Sequence, residues 1–429
     1  MTQKQKNGNI VAIIMMIALF GMISFVTNLA APMGVVLKGQ FSVSNAIGLL
    51  GNMANFIAYA VMGIPSGILL QRVGYKKTAL IAIAVGFLGV LIQYFSGHAS
   101  DTPALVIYLL GAFVAGFSMC LLNTVVNPML TTLGGGGNKG NQLIQIGGLL
   151  SSTVATFTPA FVGILIGEAA KAQIKDVFPI MYIAMGVFAV VGVVLWIVSI
   201  PEPQAKWSSE PIGKLMSGAL KFRHFVLGAI AIFVYVGVEV GTPGMINLWL
   251  SDTSAGTATA GSVVGTYWFL MLIGRLFGAS LGNKISSKTM LAIASVIGLF
   301  LVTMAIFLPA SLQVLLPVLK QSTTGALSFG LAEVPINAMF LILVGLCTSV
   351  MWGAIYTLAV DGLGKYLAAA SGLFMVMVCG GGVLLAIQGW IADLAGYLTS
   401  YWVIFAGLAY LLFYALAGSK NVNKNIPVE

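Results

Sequence analysis

Charged side chains are scarce in this chain: only 7% of its 429 residues are Asp, Glu, Lys or Arg, whereas 59% are hydrophobic. A soluble globular protein contains about 25% charged residues. The chain therefore has too few polar groups to cover a soluble core of this size, which excludes a soluble enzyme, a nucleic-acid-binding module and a disordered protein. The composition instead predicts a polytopic membrane protein whose surface is mostly surrounded by lipid.

Residues that bind metals or act as nucleophiles are few as well. The two histidines, His98 and His224, lie far apart, and the three cysteines, Cys120, Cys347 and Cys379, stand in apolar runs without a C-x-x-C pair. This pattern supports neither a metal site nor a disulfide framework. We therefore expect no enzyme activity and no cofactor, apart from a coupling Na⁺ or H⁺ if the protein uses one.

Long stretches without a charged residue indicate the membrane spans, because a spanning helix needs about 20 apolar residues. These stretches are 7–37, 39–71, 78–100, 102–138, 140–167, 177–201, 253–274, 289–319, 334–360, 366–392 and 394–419. A twelfth stretch, 224–251, is interrupted only by Glu239. The runs are too long and continuous for the alternating strands of a β-barrel. They predict an all-α membrane protein with twelve transmembrane helices.

The basic residues predict how these helices are oriented. With twelve spans and a cytoplasmic N-terminus, fifteen Lys and Arg residues fall on the cytoplasmic side, and only Lys38, Lys171, Lys175 and Lys320 fall on the other side. Cytoplasmic loops of membrane proteins carry an excess of Lys and Arg. We therefore expect a multi-pass protein of an inner (plasma) membrane with both termini in the cytoplasm.

A polar stretch near the middle of the chain divides the predicted spans into six and six. We predict an N-terminal half over 1–200, a central cytoplasmic loop over 201–222 and a C-terminal half over 223–429. The loops after the second and eighth spans share a pattern, in which Gly67 and Gly278 are each followed ten residues later by Lys-Thr. Internal repeats of this kind are typical of transporters whose binding site lies between the repeats, near the bilayer midplane.

Several short motifs resemble those of the major facilitator superfamily and, within it, the fucose–galactose–glucose symporter family. They are PSGILL at 65–70, NTVVNP at 123–128, YVGVEV at 235–240, GRLFG at 274–278, GLGK at 362–365, GGG at 380–382 and GWIAD at 389–393. Their order extends the resemblance over nearly the whole chain. The Asp that the superfamily usually carries after the second span is replaced by Gln71 here, a departure that this sugar family commonly shows.

The resemblance implies two six-helix pseudo-repeats that rock around a central polar site and import a sugar by alternating access. The expected cargo is a neutral hexose or related sugar, with coupling to sodium or protons. Family members carry acids in the first and fourth spans for proton coupling, but the matching positions here are Ala31 and Asn123. Coupling through Glu239, sodium coupling through neutral oxygens and uncoupled facilitation therefore stay open. The alternatives are a carrier of an acidic or N-acetylated sugar, with Arg275 as counter-charge, and a membrane sugar sensor.

Two ionisable residues lie inside the predicted spans, where a charge is costly and usually functional. Glu239 lies in the middle of the seventh span and is a candidate for cation coupling or sugar binding. Arg275 lies towards the end of the eighth span and is a candidate for coupling or gating. The alternative for both is a structural role in hydrogen bonds between neighbouring helices.

A sugar site also needs amides for the sugar hydroxyl groups and aromatic faces for the ring. The candidates for substrate contact are the amides Asn28, Asn123, Asn127, Gln145 and Asn247, the carboxylate Glu239, and the aromatic residues Tyr267, Trp268, Trp352 and Tyr356. Packing or anchoring at the lipid interface is the alternative for the aromatic residues. As partners we expect a small-molecule sugar and membrane lipid but no nucleic acid, and we expect a monomer.

Overall fold

The computed structural model describes residues 3–41, 50–166, 172–202, 210–253, 256–321, 327–423 and 425–428. Within these ranges the chain is a bundle of long helices, which we number as spans. They are span 1 (Gln3–Phe41), span 2 (Leu50–Val73), span 3 (Tyr75–Ser96), span 4 (Asp101–Leu133), span 5 (Gly137–Ile166), span 6 (Phe178–Ile197), span 7 (Arg223–Ser251), span 8 (Gly256–Leu281), span 9 (Ser287–Phe307), span 10 (Ile336–Thr348 with Met351–Ala359), span 11 (Leu367–Val376 with Gly380–Ala395) and span 12 (Tyr397–Phe413).

Ten of these helices are long and apolar enough to cross a membrane by themselves, counted over the described part of the chain. Spans 5 and 10 complete the twelve. Span 5 has 30 residues but a more polar sequence, beginning GNKGNQLIQ. Span 10 consists of two helices bent by 40° at the break between Thr348 and Met351. The predicted all-α membrane fold with twelve helices is thus confirmed.

A β-hairpin between spans 9 and 10 is an addition that the sequence analysis did not predict. Its strands are β1 (Gln313–Gln321) and β2 (Leu327–Pro335), which pair antiparallel from Gln313 with Pro335 to Gln321 with Leu327. The charge-free stretch 289–319 was therefore too long a prediction for one helix. Span 9 ends at Phe307, because the following Leu308 has an extended backbone and Pro309 cannot continue the helix.

The central loop is attached to each group of spans by a carboxylate. Glu202 accepts hydrogen bonds from the first backbone N–H groups of span 3, including that of Tyr75 at 2.9 Å. An anion at that position is favoured by the helix dipole. Beyond residues 203–209 the loop forms a short helix (Ile212–Ala219), and Glu210 pairs with Lys365 at 2.9 Å, before span 11.

The two sets of six spans are in close contact on the side of the bundle that carries the chain termini, which we call the inner side. Spans 2 and 11 approach so closely there that a Cβ added to Gly372 would lie 2.7 Å from the Cα atom of Gly67. Spans 5 and 8 meet on the same side, where Gln142 donates a hydrogen bond of 3.0 Å to the carbonyl oxygen of Ala279. This contact closes the inner side of the space between the two sets of spans.

Candidate substrate-binding site

A cavity of about 250 Å³ lies at the middle of the bundle, between spans 1–6 and spans 7–12. Its polar lining residues are Ser24, Thr27, Asn28, Asn55, Tyr59, Asn123, Gln145, Ser151, Ser152, Glu239, Arg275 and Ser349. Its aromatic lining residues are Phe20, Phe56, Tyr59, Trp268 and Trp352. This space and its many polar groups fit a small polar solute.

Neutral polar groups form the wall that spans 1–6 contribute. Asn28 donates a hydrogen bond of 2.8 Å to the carbonyl oxygen of Ser24, one turn earlier in span 1. Asn123 in span 4 donates to the hydroxyl of Tyr59 in span 2 at 2.6 Å. Asn28 also donates to the Ser24 hydroxyl, and Asn123 also donates to the carbonyl oxygen of Met119 and accepts from Asn127. The amide oxygens keep acceptor positions, and the hydroxyl groups of this wall can donate as well as accept, so it can bind a ligand without carrying a charge.

Hydrogen bonds between spans 1–6 and spans 7–12 close the inner end of the cavity, which we call its floor. The indole N–H of Trp352 in span 10 donates to Asn127 Oδ1 in span 4 at 3.0 Å. Gln145 Nε2 in span 5 donates to the carbonyl oxygen of Val350 at 2.8 Å. Val350 lies at the break in span 10, and its carbonyl oxygen accepts this side chain in addition to a longer bond of 3.4 Å from the backbone N–H of Ala354. Broken helices of this kind are typical of transporter binding sites.

An ion pair between Glu239 in span 7 and Arg275 in span 8 lies at the cavity, and Arg275 also contacts the other set of spans. Arg275 Nη2 lies 3.5 Å from Glu239 Oε1, with side-chain exposures of 13% and 15%. Arg275 Nη1 also donates to the carbonyl oxygen of Gly148 at 2.9 Å and to the hydroxyl of Ser152 at 2.8 Å, both in span 5. A buried charge needs a partner and hydrogen bonds to offset the loss of water. The guanidinium therefore neutralises Glu239 and at the same time links span 8 to span 5.

The profile of the Major Facilitator Superfamily matches residues 12–386. The chain belongs to the Major Facilitator Superfamily. Membership makes this protein a membrane transporter rather than an enzyme. It also confirms the resemblance on which the prediction of two packed six-helix repeats was based.

Relatives of this superfamily member match along almost its entire length. A "Glucose/galactose transporter" of Brucella abortus biovar 1 is 29% identical over 434 residues, covering 98% of this chain and 97% of the relative. A "Putative glucose/galactose transporter" of Helicobacter pylori J99 is 26% identical over 97% of this chain and 99% of its own. The "L-fucose-proton symporter" of Escherichia coli K12 is 20% identical over 91% and 89%. These relatives confirm the expected similarity to the fucose–galactose–glucose symporter family.

Solved structures share the fold of this transporter. The fucose transporter FucP in its outward conformation superposes with a TM-score of 0.80 at 18% identity, covering 96% of this chain and all of that one. The proton:xylose symporter XylE superposes with a TM-score of 0.67 at 13% identity, covering 94% of this chain and 95% of the other. At these identities the likeness establishes the arrangement of helices alone.

The transporter brings most of the candidate residues from the sequence to its central cavity. Asn28, Asn123, Gln145, Glu239, Trp268, Arg275 and Trp352 line it. Asn127 lies directly behind this lining, fully buried, where it binds Trp352.

Three candidates lie elsewhere. Asn247 is exposed near the end of span 7, outside the cavity lining. Tyr267 is fully buried and donates at 3.1 Å to the carbonyl oxygen of Glu239, so it supports the backbone behind that carboxylate. Tyr356 is also fully buried, and its hydroxyl is 3.0 Å from that of Ser371 in span 11. Tyr267 therefore contacts the lining through Glu239, whereas Tyr356 packs against span 11 outside the lining.

Several lining residues with hydroxyl groups were not among the candidates. They include Ser24, Tyr59, Ser151 and Ser152. The sequence did contain a signal for Ser152, because it follows Gln145 by seven residues, and residues seven apart lie on one face of a helix. Within the described residues no group of three His, Cys, Asp or Glu side chains is placed to hold a metal ion.

Proposed function

We propose that this protein imports a neutral hexose or a closely related sugar by alternating access, coupled to a cation gradient. The observation that carries the proposal is the central cavity, in which neutral amides and hydroxyls from spans 1–6 face two tryptophans from spans 8 and 10. Sugar hydroxyl groups need both donors and acceptors, which amides supply. The names of the relatives, which are glucose, galactose and fucose transporters, support the same class of cargo.

The charge of the cavity favours a neutral sugar over an acidic one. Arg275 is the cation in the lining, and Glu239 is the carboxylate. Because they pair at 3.5 Å, the lining has no net charge to offer an anionic cargo. A carboxylated sugar would have to compete with Glu239 for the guanidinium and leave one carboxylate without a partner, which is costly in a buried site.

Alternating access requires the floor of the cavity to open. In the proposed cycle a sugar enters from the outer side and contacts amides of spans 1–6 and tryptophans of spans 8 and 10. The floor bonds, Trp352 to Asn127 and Gln145 to Val350, break when the inner side opens. Contacts of the sugar to both halves offset part of that loss, since binding shifts an equilibrium by its differential affinity for the two states.

We propose that Glu239 carries the coupling. It is the carboxylate of the cavity lining, while the positions of the two acids expected from the family are Ala31 and Asn123. The Asn123 amide binds Tyr59 and cannot accept a proton at physiological pH. A proton on Glu239, or a sodium ion beside it, would weaken the attraction to Arg275 and so affect the link from Arg275 to span 5.

The setting of this activity follows from the topology predicted above. We propose a monomer in an inner or plasma membrane, with both termini in the cytoplasm. The charge bias of the loops supports this orientation.

The test is uptake of radiolabelled glucose, galactose and fucose into proteoliposomes, with an imposed sodium gradient, an imposed pH gradient or neither. We expect accumulation of one of these sugars with one of the two gradients. Glu239→Gln should abolish accumulation but retain exchange of internal for external sugar. The matched control is Asp393→Asn, which changes an exposed acid near the outer end of span 11 and should leave accumulation intact.

Two results would overturn parts of the proposal separately. Equal flux with either gradient and no accumulation would make the protein a facilitator and remove the coupling role of Glu239. Transport of an acidic or N-acetylated sugar, in the absence of any hexose flux, would overturn the assignment of the cargo.

A further inference from the structure

The β1–β2 hairpin has two different faces. The side chains that point towards the bundle are buried, and they are Leu316, Val318, Ala332 and Val334. The opposite face is exposed and mostly apolar: Leu315, Phe329 and Leu331 are 68%, 70% and 58% exposed. It carries one charge, the exposed Glu333, which pairs across the strands with Leu315 near the base of the hairpin. Because neighbouring strand residues point to opposite faces, this pattern is built into both strands. A soluble hairpin usually has polar side chains on its open face, so this apolar face needs an apolar surrounding.

The hairpin lies on the side of span 8 that faces away from the cavity. The backbone N–H of Leu319 donates to the hydroxyl of Thr266 at 2.9 Å, and the ring of Phe329 lies 5.6 Å from that of Phe269. At 3.6 residues per turn, Thr266 and Phe269 are rotated by about 160° and 100° from the cavity-lining Trp268. The hairpin is therefore at the periphery of the bundle and does not cover the cavity.

This side of span 8 continues into an exposed apolar surface, as expected of a surface that faces lipid. Leu276 follows Phe269 by seven residues on the same helix face, and it is 52% exposed, while the adjacent Phe277 is 60% exposed. The exposed apolar face of the hairpin is thus continuous with the lipid-facing surface of the spans.

The position of the hairpin along span 8 indicates how deep it lies. Thr266 precedes Leu281, the last residue of the span, by fifteen residues, which corresponds to about 22 Å at 1.5 Å per residue. The hydrocarbon core is about 30 Å thick. With Leu281 taken as the inner boundary, Thr266 lies in the outer half of the hydrocarbon core, about 8 Å from its outer polar boundary. The free edge of β2 also needs water or headgroups, because unpaired backbone groups are not tolerated in hydrocarbon.

We propose that the hairpin is an interfacial membrane anchor, in which Leu315, Phe329 and Leu331 rest in the leaflet opposite the chain termini. Its partner is the boundary between acyl chains and headgroups of that leaflet. The base of the hairpin is fixed to the protein where Ile336 N–H donates to the carbonyl oxygen of Leu312 at 2.8 Å, at the start of span 10. The anchor therefore connects the bilayer directly to the ends of spans 9 and 10. This inference does not depend on the transported substrate.

The test is site-directed spin labelling of the full chain in phosphatidylcholine bilayers, in a background without the three native cysteines. Nitroxides are placed at Phe329→Cys and, separately, Leu315→Cys. Two reference positions are Phe277→Cys, on the lipid-facing side of span 8, and Lys284→Cys, in the exposed loop after it. Power saturation then compares accessibility to oxygen, which partitions into lipid, with accessibility to a water-soluble nickel chelate.

We expect both hairpin labels to be more accessible to oxygen than to the nickel chelate. Their ratio of oxygen to nickel accessibility should lie between the ratio at Phe277 and the ratio at Lys284. A ratio equal to that at Lys284 would place the face in water and overturn the proposal. Low accessibility to both reagents would mean that protein covers the face. Dipolar broadening between labels of different chains would then identify a second copy as the partner, and this outcome also overturns the proposal.

Discussion

Replacing Ser152 with Ala should shift this transporter towards a state that is open on the inner side. The hydroxyl of Ser152 in span 5 accepts a hydrogen bond of 2.8 Å from Arg275 Nη1 in span 8. This bond joins the two sets of spans on the floor of the cavity. We expect this bond to break when the inner side opens, so its loss should penalise the closed state.

The size of the shift follows from the charge of the donor. A hydrogen bond to a charged group contributes about 1.5–3 kcal/mol. At about 1.4 kcal/mol per tenfold change in an equilibrium constant, the populations should shift by about 10- to 150-fold. Arg275 retains the carbonyl oxygen of Gly148 at 2.9 Å and the carboxylate of Glu239, so the lower part of that range is expected.

The assay is a distance measurement between spin labels on the inner side. Lys77 at the start of span 3 and Lys288 at the start of span 9 are both exposed and lie in the two halves of the internal repeat. Labels at these positions, in a background without native cysteines, report how far the inner ends of the halves are apart. Pulsed electron double resonance should show one short distance in the parent protein and an added longer distance after Ser152→Ala.

The matched control is Ser151→Ala. Ser151 also lines the cavity, but its hydroxyl makes no hydrogen bond to another described residue. The hydroxyl of Ser24 donates to the carbonyl oxygen of Ser151, which the substitution retains. Its replacement removes the same atom without breaking a bond between the halves. If both variants gave the same distances as the parent protein, or shifted equally, the role assigned to the Arg275–Ser152 bond would be refuted.

Three further changes have clear expected outcomes. Gly372→Ala should open the inner side in the same distance assay, because the new Cβ would lie 2.7 Å from backbone atoms of span 2. Overpacking of this kind costs about 1–3 kcal/mol. Gly389→Ala in the same span is the control, because its new Cβ meets open space and should leave the distances unchanged. Trp352→Phe, which loses the 3.0 Å bond to Asn127, should weaken sugar binding and also raise the fraction open on the inner side; an unchanged distance distribution would contradict this. Asn337→Leu should lower the melting temperature by several degrees in a thermal unfolding scan. The buried carbonyl oxygen of Ala305 and the partly buried one of Leu308 each lose a bond of 2.7 Å, at about 1–3 kcal/mol each, and an unchanged midpoint would mean that water replaces the amide.

Much of the helical framework could be predicted from the absence of charge. The stretches 78–100 and 140–167 predicted spans 3 and 5 to within a few residues of their ends. A charge-free run does not show where a helix ends when the run also contains a strand. In the stretch 289–319 the apolar sequence continues from span 9 into β1, so the charge pattern cannot show that the helix stops at Phe307.

The site could be predicted as a set of residues but not as a set of contacts. Glu239 and Arg275 stand out because a charge inside a span is rare. Their partners in space do not stand out: Ser152 lies 123 residues before Arg275, and Val350 accepts from Gln145 over a separation of 205 residues. Such pairs depend on how the two halves pack, and a serine or a backbone carbonyl has no unusual sequence signal.

Exposure is a second property that the sequence could not supply. Asn247 is an amide within a span, as Asn28 is, yet Asn247 is exposed near the end of span 7 while Asn28 faces the cavity. The two positions differ in depth and helix face, which depend on the tilt of each span. This difference makes the pair useful for a direct test of the site.

Exchange of labelled hexose across proteoliposome membranes, compared between Asn28→Leu and Asn247→Leu, tests the central claim most directly. Among the described residues, Asn28 has hydrogen bonds only within its own helix, so its replacement should leave the fold intact. We expect Asn28→Leu to raise the half-saturating sugar concentration about tenfold, as the loss of about 1.4 kcal/mol implies, and Asn247→Leu to leave it unchanged. No hexose exchange in the parent protein, or equal losses in the two variants, would contradict a neutral sugar site in the central cavity.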